Sequence, residues 1–416
     1  MLSERIKAKA EQAGRGAAIA LGASIPVSVA LDGVLLGVIL ACAVLGAHYR
    51  RDWEAIHVNL PAMLALTLFG LLAIGTSYGD ASVREAVRYL TKYNDLLFIP
   101  VFVVLFRGAD ARRAGIYALA GALLAIVLLS FALRAGMPRP TWFVADSLFY
   151  VPFKHKLTHA VLVAFAAFLF FQLALAARSQ AGRAGWAIAA TLSLINLAFV
   201  VPGGSGYLVA GSLLLYTGYA LWRYRGLVVM IVVGALAAAV LYHASGLVHE
   251  RVDRAINEYS TWGASNASGS RMPTYANGEE NSVGLRLTFY RVTLRIIRDH
   301  PFIGVGTGGF PKAYAAHAGN SRPATAVNPH NEYLLFAAQL GLVGLLGLLS
   351  LFYFHWHLAP RLATPLETHL ARGLLLTIAV GCLFNSFLLD HTEGLLFAWM
   401  TGLLYGGLDR GSRAPA

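Results

Sequence analysis

A histidine stands at the boundary between a long polar interval and an apolar run, in the sequence Asn328-Pro329-His330-Asn331-Glu332. An imidazole accepts protons near neutral pH, so His330 is a candidate general base close to a membrane surface. Pro329 restricts the approaching backbone, and Asn328 is a candidate N-cap for the helix that follows. The chain has 13 histidines, and a surface histidine with a capping role is the alternative interpretation.

The same polar interval contains arginines that could bind an anion. Arg286 lies in a predicted helix, Leu285–Asp299, and stands apart from three arginines on another face of that helix, Arg291, Arg295 and Arg298. The face that carries these three arginines is expected to be solvated. Phosphate binding by them is the alternative. Because guanidinium forks match phosphate oxygens, Arg286 is a candidate phosphate or pyrophosphate ligand.

A second basic segment lies far upstream, in a short polar stretch with a helical pattern, Tyr78–Tyr93. Arg84, Arg88 and Lys92 are spaced i, i+4 and i+8, which places three cations on one helix face. Neutralisation by neighbouring acids is the simpler explanation for basic residues in a long insertion, but this stretch is short. Arg84 and Arg88 are therefore candidate phosphate ligands as well.

A glycine-rich run, Gly304-Val305-Gly306-Thr307-Gly308-Gly309, resembles a phosphate-binding loop in composition. Nucleotide-binding loops of this kind follow a β-strand, and no strand pattern precedes this one. We therefore predict a tight turn rather than a nucleotide site.

The elements that must position these residues are membrane helices. Hydrophobic residues make up 57% of the chain, charged residues 13%, and the mean hydropathy is +0.61; soluble domains carry about 25% charged residues. Cys42 and Cys382 both lie in apolar runs, which argues against a disulfide framework or a cysteine-based metal site. The basic segment Met1–Arg15 is predicted to be a cytoplasmic tail rather than a cleaved signal.

Apolar runs predict about 12 spans of roughly 20 residues or slightly fewer. The first two share one run and are separated by a predicted break at Leu31-Asp32-Gly33. The predicted spans are Ala17–His48 as two helices, Pro61–Thr76, Leu96–Phe106, Gly115–Leu133, Leu157–Ala176, Trp186–Val201, Tyr207–Leu221, Leu227–Ser245, Tyr333–Tyr353, Leu374–Leu389 and Gly394–Gly406.

Charge predicts the orientation of these helices. The net charge is +12, and the positive-inside rule places most short basic loops and both termini in the cytoplasm. The polar interval then faces the periplasm, since its backbone polar groups would be unsatisfied in lipid. We predict an all-α polytopic protein with one large periplasmic insert between helices 9 and 10. Its regions are 1–245 (helices 1–9), 246–332 (the insert with the chemical motifs) and 333–416 (helices 10–12 and a cytoplasmic tail).

Taken together, these motifs resemble the signature of the O-antigen ligase (WaaL) family, within the O-antigen ligase/polymerase superfamily. His330-Asn331 is followed, after nine residues, by Gly341-Leu342-Val343-Gly344. Upstream, Arg286 and Tyr290 precede a turn that begins Asp299-His300-Pro301-Phe302. The family commonly has an arginine soon after the turn at Pro202–Ser205; this chain has Gly206-Tyr207 there, and Arg84 and Arg88 are the expected substitutes.

The resemblance implies a metal-independent, inverting glycosyltransferase of GT-C-like membrane architecture, without a cofactor. It implies transfer of a polysaccharide from undecaprenyl diphosphate to lipid A–core in lipopolysaccharide assembly, with an active site facing the periplasm from the bacterial inner membrane. In that scheme His330 is the general base, and Arg286 binds the diphosphate with help from Arg84 and Arg88. Membrane lipids are the remaining partners, and no nucleic acid is expected.

Two alternatives stay open at the level of sequence. Within the superfamily, the chain could be an O-antigen polymerase or a protein O-oligosaccharyltransferase. In a different class, it could transport an anionic lipid or solute. Transport would favour internal repeats and broken helices at mid-membrane, and the sequence shows no convincing repeat.

Overall fold

The computed structural model describes residues 4–140, 150–201, 203–268, 282–319 and 325–408, apart from the side chains of residues 247, 264–268 and 282. This part of the chain is all-α and contains no strand. The helices are Glu4–Ser24 (α1), Val29–Gly46 (α2), Tyr49–Ile56 (α3), Leu60–Gly75 (α4), Val83–Lys92 (α5), Asp95–Leu105 (α6), Ala109–Arg134 (α7), Lys156–Ala176 (α8), Gln180–Phe199 (α9), Gly204–Ala244 (α10), Gly246–Ser268 (α11), Ser282–Asp299 (α12), Phe310–His317 (α13), Glu332–Leu358 (α14), Pro365–Gly381 (α15) and His391–Tyr405 (α16).

Membrane helices account for much of this architecture. Among the described residues, five helices are long and apolar enough to cross a membrane: α2, α7, α8, α10 and α14. A sixth candidate is the pair α3 and α4, which are bent by 91° at a short break. The all-α membrane class is therefore confirmed, whereas the count of 12 spans stays a prediction.

The core lies around α8 and α16, which are buried on nearly every face. Helix α16 packs on α6, and α8 packs on α9 and α10. Where lipid replaces water, close contact between small and large residues stabilises such packing. At Trp399, for example, the indole Nε1 donates to the carbonyl of Ala18 at 2.7 Å, and a Cβ on Gly22 would lie only 2.4 Å from the ring.

The N-terminal hairpin differs from the prediction in two ways. The segment predicted as a polar tail is helical from Glu4 onward, and α1 packs along α2. The break between the helices lies at residues 25–28, where Ser28 caps α2, and not at Leu31-Asp32-Gly33. Asp32 is therefore a fully buried residue of α2 rather than a turn residue.

Helix α10 contains the predicted eighth and ninth spans as an antiparallel pair. The chain reverses at Trp222 and Arg223, whose backbone angles are not helical. Gly218 then packs directly against Gly226, because a Cβ on Gly226 would lie 1.9 Å from the carbonyl oxygen of Gly218.

Two predicted spans near the C-terminus contain irregular backbone. The predicted span Tyr333–Tyr353 is not one continuous helix, since Gly341 adopts φ 62° and kinks α14. The predicted span Leu374–Leu389 ends early, because α15 stops at Gly381 and residues 382–390 form no regular helix. The second departure creates irregular backbone beside His330, where Asn385 contacts the imidazole.

Candidate active site

His330 has an unusual backbone. Its φ is +52°, in the left-handed region that costs an ordinary residue about 1–2 kcal/mol. The conformation is held by Asn328, whose Oδ1 accepts the His330 N–H at 2.9 Å. The predicted capping role of Asn328 is therefore wrong, and Asn331 caps α14 by accepting the N–H of Leu334 at 3.0 Å.

A chain of hydrogen bonds orients the His330 ring. Asn385 Nδ2 donates to Asp390 Oδ2 at 2.7 Å, and Asn385 Oδ1 lies 3.0 Å from His330 Nδ1. Because a carboxylate oxygen accepts N–H groups, the Asn385 amide must turn its oxygen toward the imidazole. The imidazole then donates from Nδ1 and keeps the lone pair of Nε2, which is the form a general base needs.

Asp390 is the last member of this chain of hydrogen bonds. Burial raises the pKa of Asp390, while the charges of Lys92 and His330 and the hydrogen bond from Asn385 oppose that rise. The carboxyl therefore depends on these neighbours to remain ionised.

Glu332 fixes the irregular segment 382–390 against the His330 loop. Its Oε1 accepts the hydroxyl of Tyr93 at 2.8 Å, and its Oε2 accepts the N–H of Leu388 at 3.1 Å. Its backbone N–H donates to the carbonyl of Cys382 at 2.9 Å. A single buried glutamate thus ties three elements together around the histidine.

Arg286 approaches the same loop from α12. Tyr290, one turn further along, donates its hydroxyl to the carbonyl of Leu383 at 2.8 Å and lies 3.4 Å from the carbonyl of His330. The ring of Phe289 lies 5.8 Å from the imidazole, centroid to centroid. Residues four apart share a helix face, so Arg286 lies on the face of α12 that carries Tyr290.

The side chain of Arg286 is half-buried, and the charge of a second cation, Arg251, acts on it. Burial lowers the pKa of Arg286, and the charge of Arg251 lowers it further, whereas Tyr290 and Glu258 raise it. The Nε atom of Arg286 is buried without a hydrogen-bond partner among the described residues. A guanidinium with an unused donor and a second positive charge acting on it has the chemistry that suits an anion.

Tyr207 and the start of α10 carry further hydrogen-bond donors. The Tyr207 hydroxyl is buried without a hydrogen-bond partner in the described part of the chain, and the charge of Arg251 acts on it. Gly203, the N-cap of α10, provides no side chain to cap the helix. Free N–H groups and the helix dipole make such an N-terminus attractive to anions.

Arg251 and Tyr207 were not singled out from the sequence. Arg251 lies on α11, 35 positions before Arg286 in the chain (286 − 251 = 35), and no spacing rule connects the two. At Gly206-Tyr207, the sequence indicated only that the arginine common in the family is absent.

The upstream candidates lie on α5, which begins with a capping box between Ser82 and Glu85. Arg84 and Arg88 are exposed, and among the described residues neither has a hydrogen bond or ion pair to His330 or Arg286. Lys92, at the end of the same helix, is the residue of this basic face whose charge acts on Asp390.

The glycine-rich run is a tight turn, as predicted. The N–H groups of Val305 and Gly306 donate to α14, at 2.9 and 2.8 Å, and that of Thr307 donates to the carbonyl of Gly75 at 2.9 Å. The N–H of Gly308 donates to Oε1 of Gln339 at 2.6 Å. These donors are all engaged within the protein, so the run cannot cradle a phosphate.

Comparison with known proteins finds one family among those that were matched to the chain. The family model Wzy_C, described as O-Antigen ligase, matches residues 203–349, which is about a third of the chain. The match begins at the N-cap of α10, contains Arg251, Arg286 and His330, and confirms the resemblance to the O-antigen ligase family. No curated protein matches the chain.

Proposed function

Because the chain carries an O-antigen ligase domain, we propose that it transfers a polysaccharide from undecaprenyl diphosphate to the lipid A–core. The reaction is inverting and takes place at the periplasmic face of the bacterial inner membrane. The observation that carries the proposal is that the oriented imidazole of His330 and the hydroxyl of Tyr290, one turn from the incompletely bonded Arg286, both contact residues 382–390.

The acceptor hydroxyl loses its proton to Nε2 of His330 as its oxygen attacks the anomeric carbon of the donor sugar. The hydrogen bond from Nδ1 to Asn385 leaves Nε2 as the basic nitrogen, and the Asp390 carboxylate stabilises the imidazolium through Asn385. A positioned base of this kind contributes roughly 10²–10⁴-fold.

The bond between the anomeric carbon and the diphosphate oxygen breaks at the opposite face of the sugar, and its electron pair leaves with the lipid diphosphate. Arg286 and Arg251 offset the charge that develops there, and the Tyr207 hydroxyl and the α10 N-terminus donate hydrogen bonds to it. The guanidinium groups take the role that a metal ion has in other transferases. Arg84 and Arg88, on exposed α5, are proposed to attract the anionic lipid.

Transfer by purified protein in lipid nanodiscs, with lipid-linked glycan and lipid A–core, tests these roles. We expect His330→Ala to lower turnover roughly 10²–10⁴-fold with donor binding retained, and to lose the acid limb of the wild-type pH profile. Retention of that limb by the alanine variant would contradict the general-base role.

Arg286→Ala is expected to abolish transfer while the protein still inserts into membranes. Arg286→Lys should recover little activity, because an ammonium group cannot replace a bidentate fork. The matched control is Arg298→Ala on the exposed end of the same helix, which should keep wild-type turnover. Near-normal activity of Arg286→Lys would refute the bidentate contact.

The acceptor and the orientation need separate experiments in cells. Loss of a ligase leaves core without polymer, whereas loss of a polymerase leaves core carrying one repeat. A cysteine at exposed Asn257, in a variant lacking Cys42 and Cys382, should react with an impermeant reagent in intact cells. Labelling only after lysis would contradict the periplasmic placement.

A further inference from the structure

A cleft of about 490 Å³ opens between the α4–α5 connection and the segment that joins α12 to α13. Its volume lies in the range of roughly 300–1,000 Å³ that is usual for small-ligand sites. The polar and aromatic side chains that line it are Tyr78, Asp80, His300, Phe302, Lys312 and His317. The proposed transfer chemistry uses none of them.

Hydrogen bonds fix the backbone at the base of the cleft, although a side chain that lines the cleft is exposed. The carbonyls of Pro301 and Phe302 accept backbone N–H groups of α14 at 2.8 and 3.3 Å, and Tyr78 donates its hydroxyl to the carbonyl of Ile303 at 2.7 Å. The side chain of Phe302 is nevertheless 72% exposed. An aromatic ring presented on a fixed backbone has already lost the conformational entropy that binding would otherwise cost.

Charges in and around the cleft are balanced. Lys312 pairs with Asp80, Nζ to Oδ2 at 3.8 Å, and His317 Nε2 pairs with Asp299 Oδ2 at 3.2 Å. The Lys312–Asp80 pair is exposed, and exposed pairs of this kind are weak, so its ammonium and carboxylate groups are available to a ligand. Neither a strong anion nor a strong cation is favoured, in contrast to the cationic site at Arg286.

A neutral ligand that both donates and accepts hydrogen bonds, and that has an apolar face, fits this lining. Saccharides have those properties: their hydroxyls suit the carboxylates, imidazoles and ammonium group, and their C–H faces pack on aromatic rings such as Phe302. A lipid acyl chain would suit Phe302 but not the charged rim around Asp80.

The position of the cleft adds a geometric argument. Asp299, beside the cleft, follows Arg286 on α12 by 13 positions (299 − 286 = 13), which corresponds to about 20 Å along a helix. An extended oligosaccharide can cover that distance, whereas one sugar cannot.

We propose that this cleft binds a saccharide segment of the transferred glycan, at a distance from the sugar that is attached to the diphosphate. The identity of the glycan rests on the proposed function; saccharide binding itself does not. The cleft thereby favours donors with long glycans over donors with a single sugar.

The direct test is saturation-transfer NMR on the full-length protein in nanodiscs, with oligosaccharides released from lipid-linked glycan by mild acid. Phe302→Ser and Lys312→Gln change exposed side chains and should leave folding intact. We expect each to weaken binding roughly 3- to 10-fold. Tyr224→Ser, which changes an exposed tyrosine at the α10 reversal, is the matched control and should bind as the wild type does.

Transfer assays provide a second test of the same proposal. With a long-glycan donor, the two cleft variants should raise KM by a similar factor, while a single-sugar donor should be used as by the wild type. Wild-type oligosaccharide binding by both variants would overturn the proposal. Equal KM changes for both donors would also overturn it, as would altered insertion into lipid with unchanged glycan binding. Absence of transfer by the wild-type protein would contradict the proposed function alone, because the NMR arm does not depend on catalysis.

Discussion

Replacing Tyr207 by phenylalanine removes one hydroxyl from the proposed diphosphate site and nothing else. The hydroxyl is buried without a hydrogen-bond partner among the described residues, so its loss removes a desolvated polar group and leaves no other group unsatisfied. We therefore expect the free energy of unfolding to stay level or to rise. If the hydroxyl donates to the diphosphate, however, a hydrogen bond to a charged group worth about 1.5–3 kcal/mol is lost. That loss corresponds to a kcat/KM roughly 10- to 150-fold lower.

The matched control is Tyr216→Phe, on the same helix. The Tyr216 hydroxyl is bonded to Nδ1 of His369 at 2.8 Å, so this variant should lose about 0.5–1.5 kcal/mol of stability and keep its activity. Thermal unfolding and steady-state transfer with a lipid-linked donor measure both quantities. Full activity in Tyr207→Phe, or a stability loss as large as in Tyr216→Phe, would refute the reasoning about Tyr207.

Four further changes test the framework around the site. Gly306 has φ +81° and its Cβ would lie 2.5 Å from backbone atoms, so Gly306→Ala should destabilise the fold by more than about 2 kcal/mol in thermal unfolding. Gly319→Ala has a positive φ of +52° but open space, so it should cost only about 1 kcal/mol. Glu367→Gln leaves Arg112 buried without its 2.7 Å ion pair and should cost about 3–5 kcal/mol in the same measurement. Burial raises the pKa of Asp390, so the stability due to its protonated form is present at low pH and lost as pH rises through the folded pKa; Asp390→Asn should lack that decline, which begins above the ordinary aspartate pKa of about 4.

Sequence patterns predicted those helices and turns that are determined by residues close to one another in the chain. The predicted span Leu96–Phe106 differs from α6 by one residue at each end, and the reversal after Leu221 lies where Trp222 and Arg223 interrupt α10. The tight turn at Gly304–Gly309 followed from its lack of a preceding strand. In each case the deciding interactions are backbone hydrogen bonds, turn residues and apolar runs, which sequence spacing encodes directly.

Asp32 illustrates what such patterns miss. An aspartate beside a glycine is typical of a turn, and the break was predicted there. In the fold, Asp32 lies inside α2 with Lys154 Nζ at 3.9 Å and His391 Nε2 at 3.4 Å. Partners 122 and 359 positions away make the buried carboxylate tolerable (154 − 32 = 122; 391 − 32 = 359), and no local rule reveals partners at such separations.

The diphosphate site shows the same limitation at the level of function. The absence of the family arginine after Pro202 suggested substitutes on α5, because Arg84 and Arg88 formed the clearest basic face in a short loop. In the fold, α11 packs on both α12 and α10, and the charge of Arg251 on α11 acts on Arg286 and on Tyr207. A helix N-terminus, a phenol and an arginine from another helix can together supply the donors that one arginine would have supplied. If that substitution is correct, Arg251→Ala should reduce kcat/KM far more than Arg84→Ala or Arg88→Ala, and equal losses in all three would assign the second cation to α5 after all.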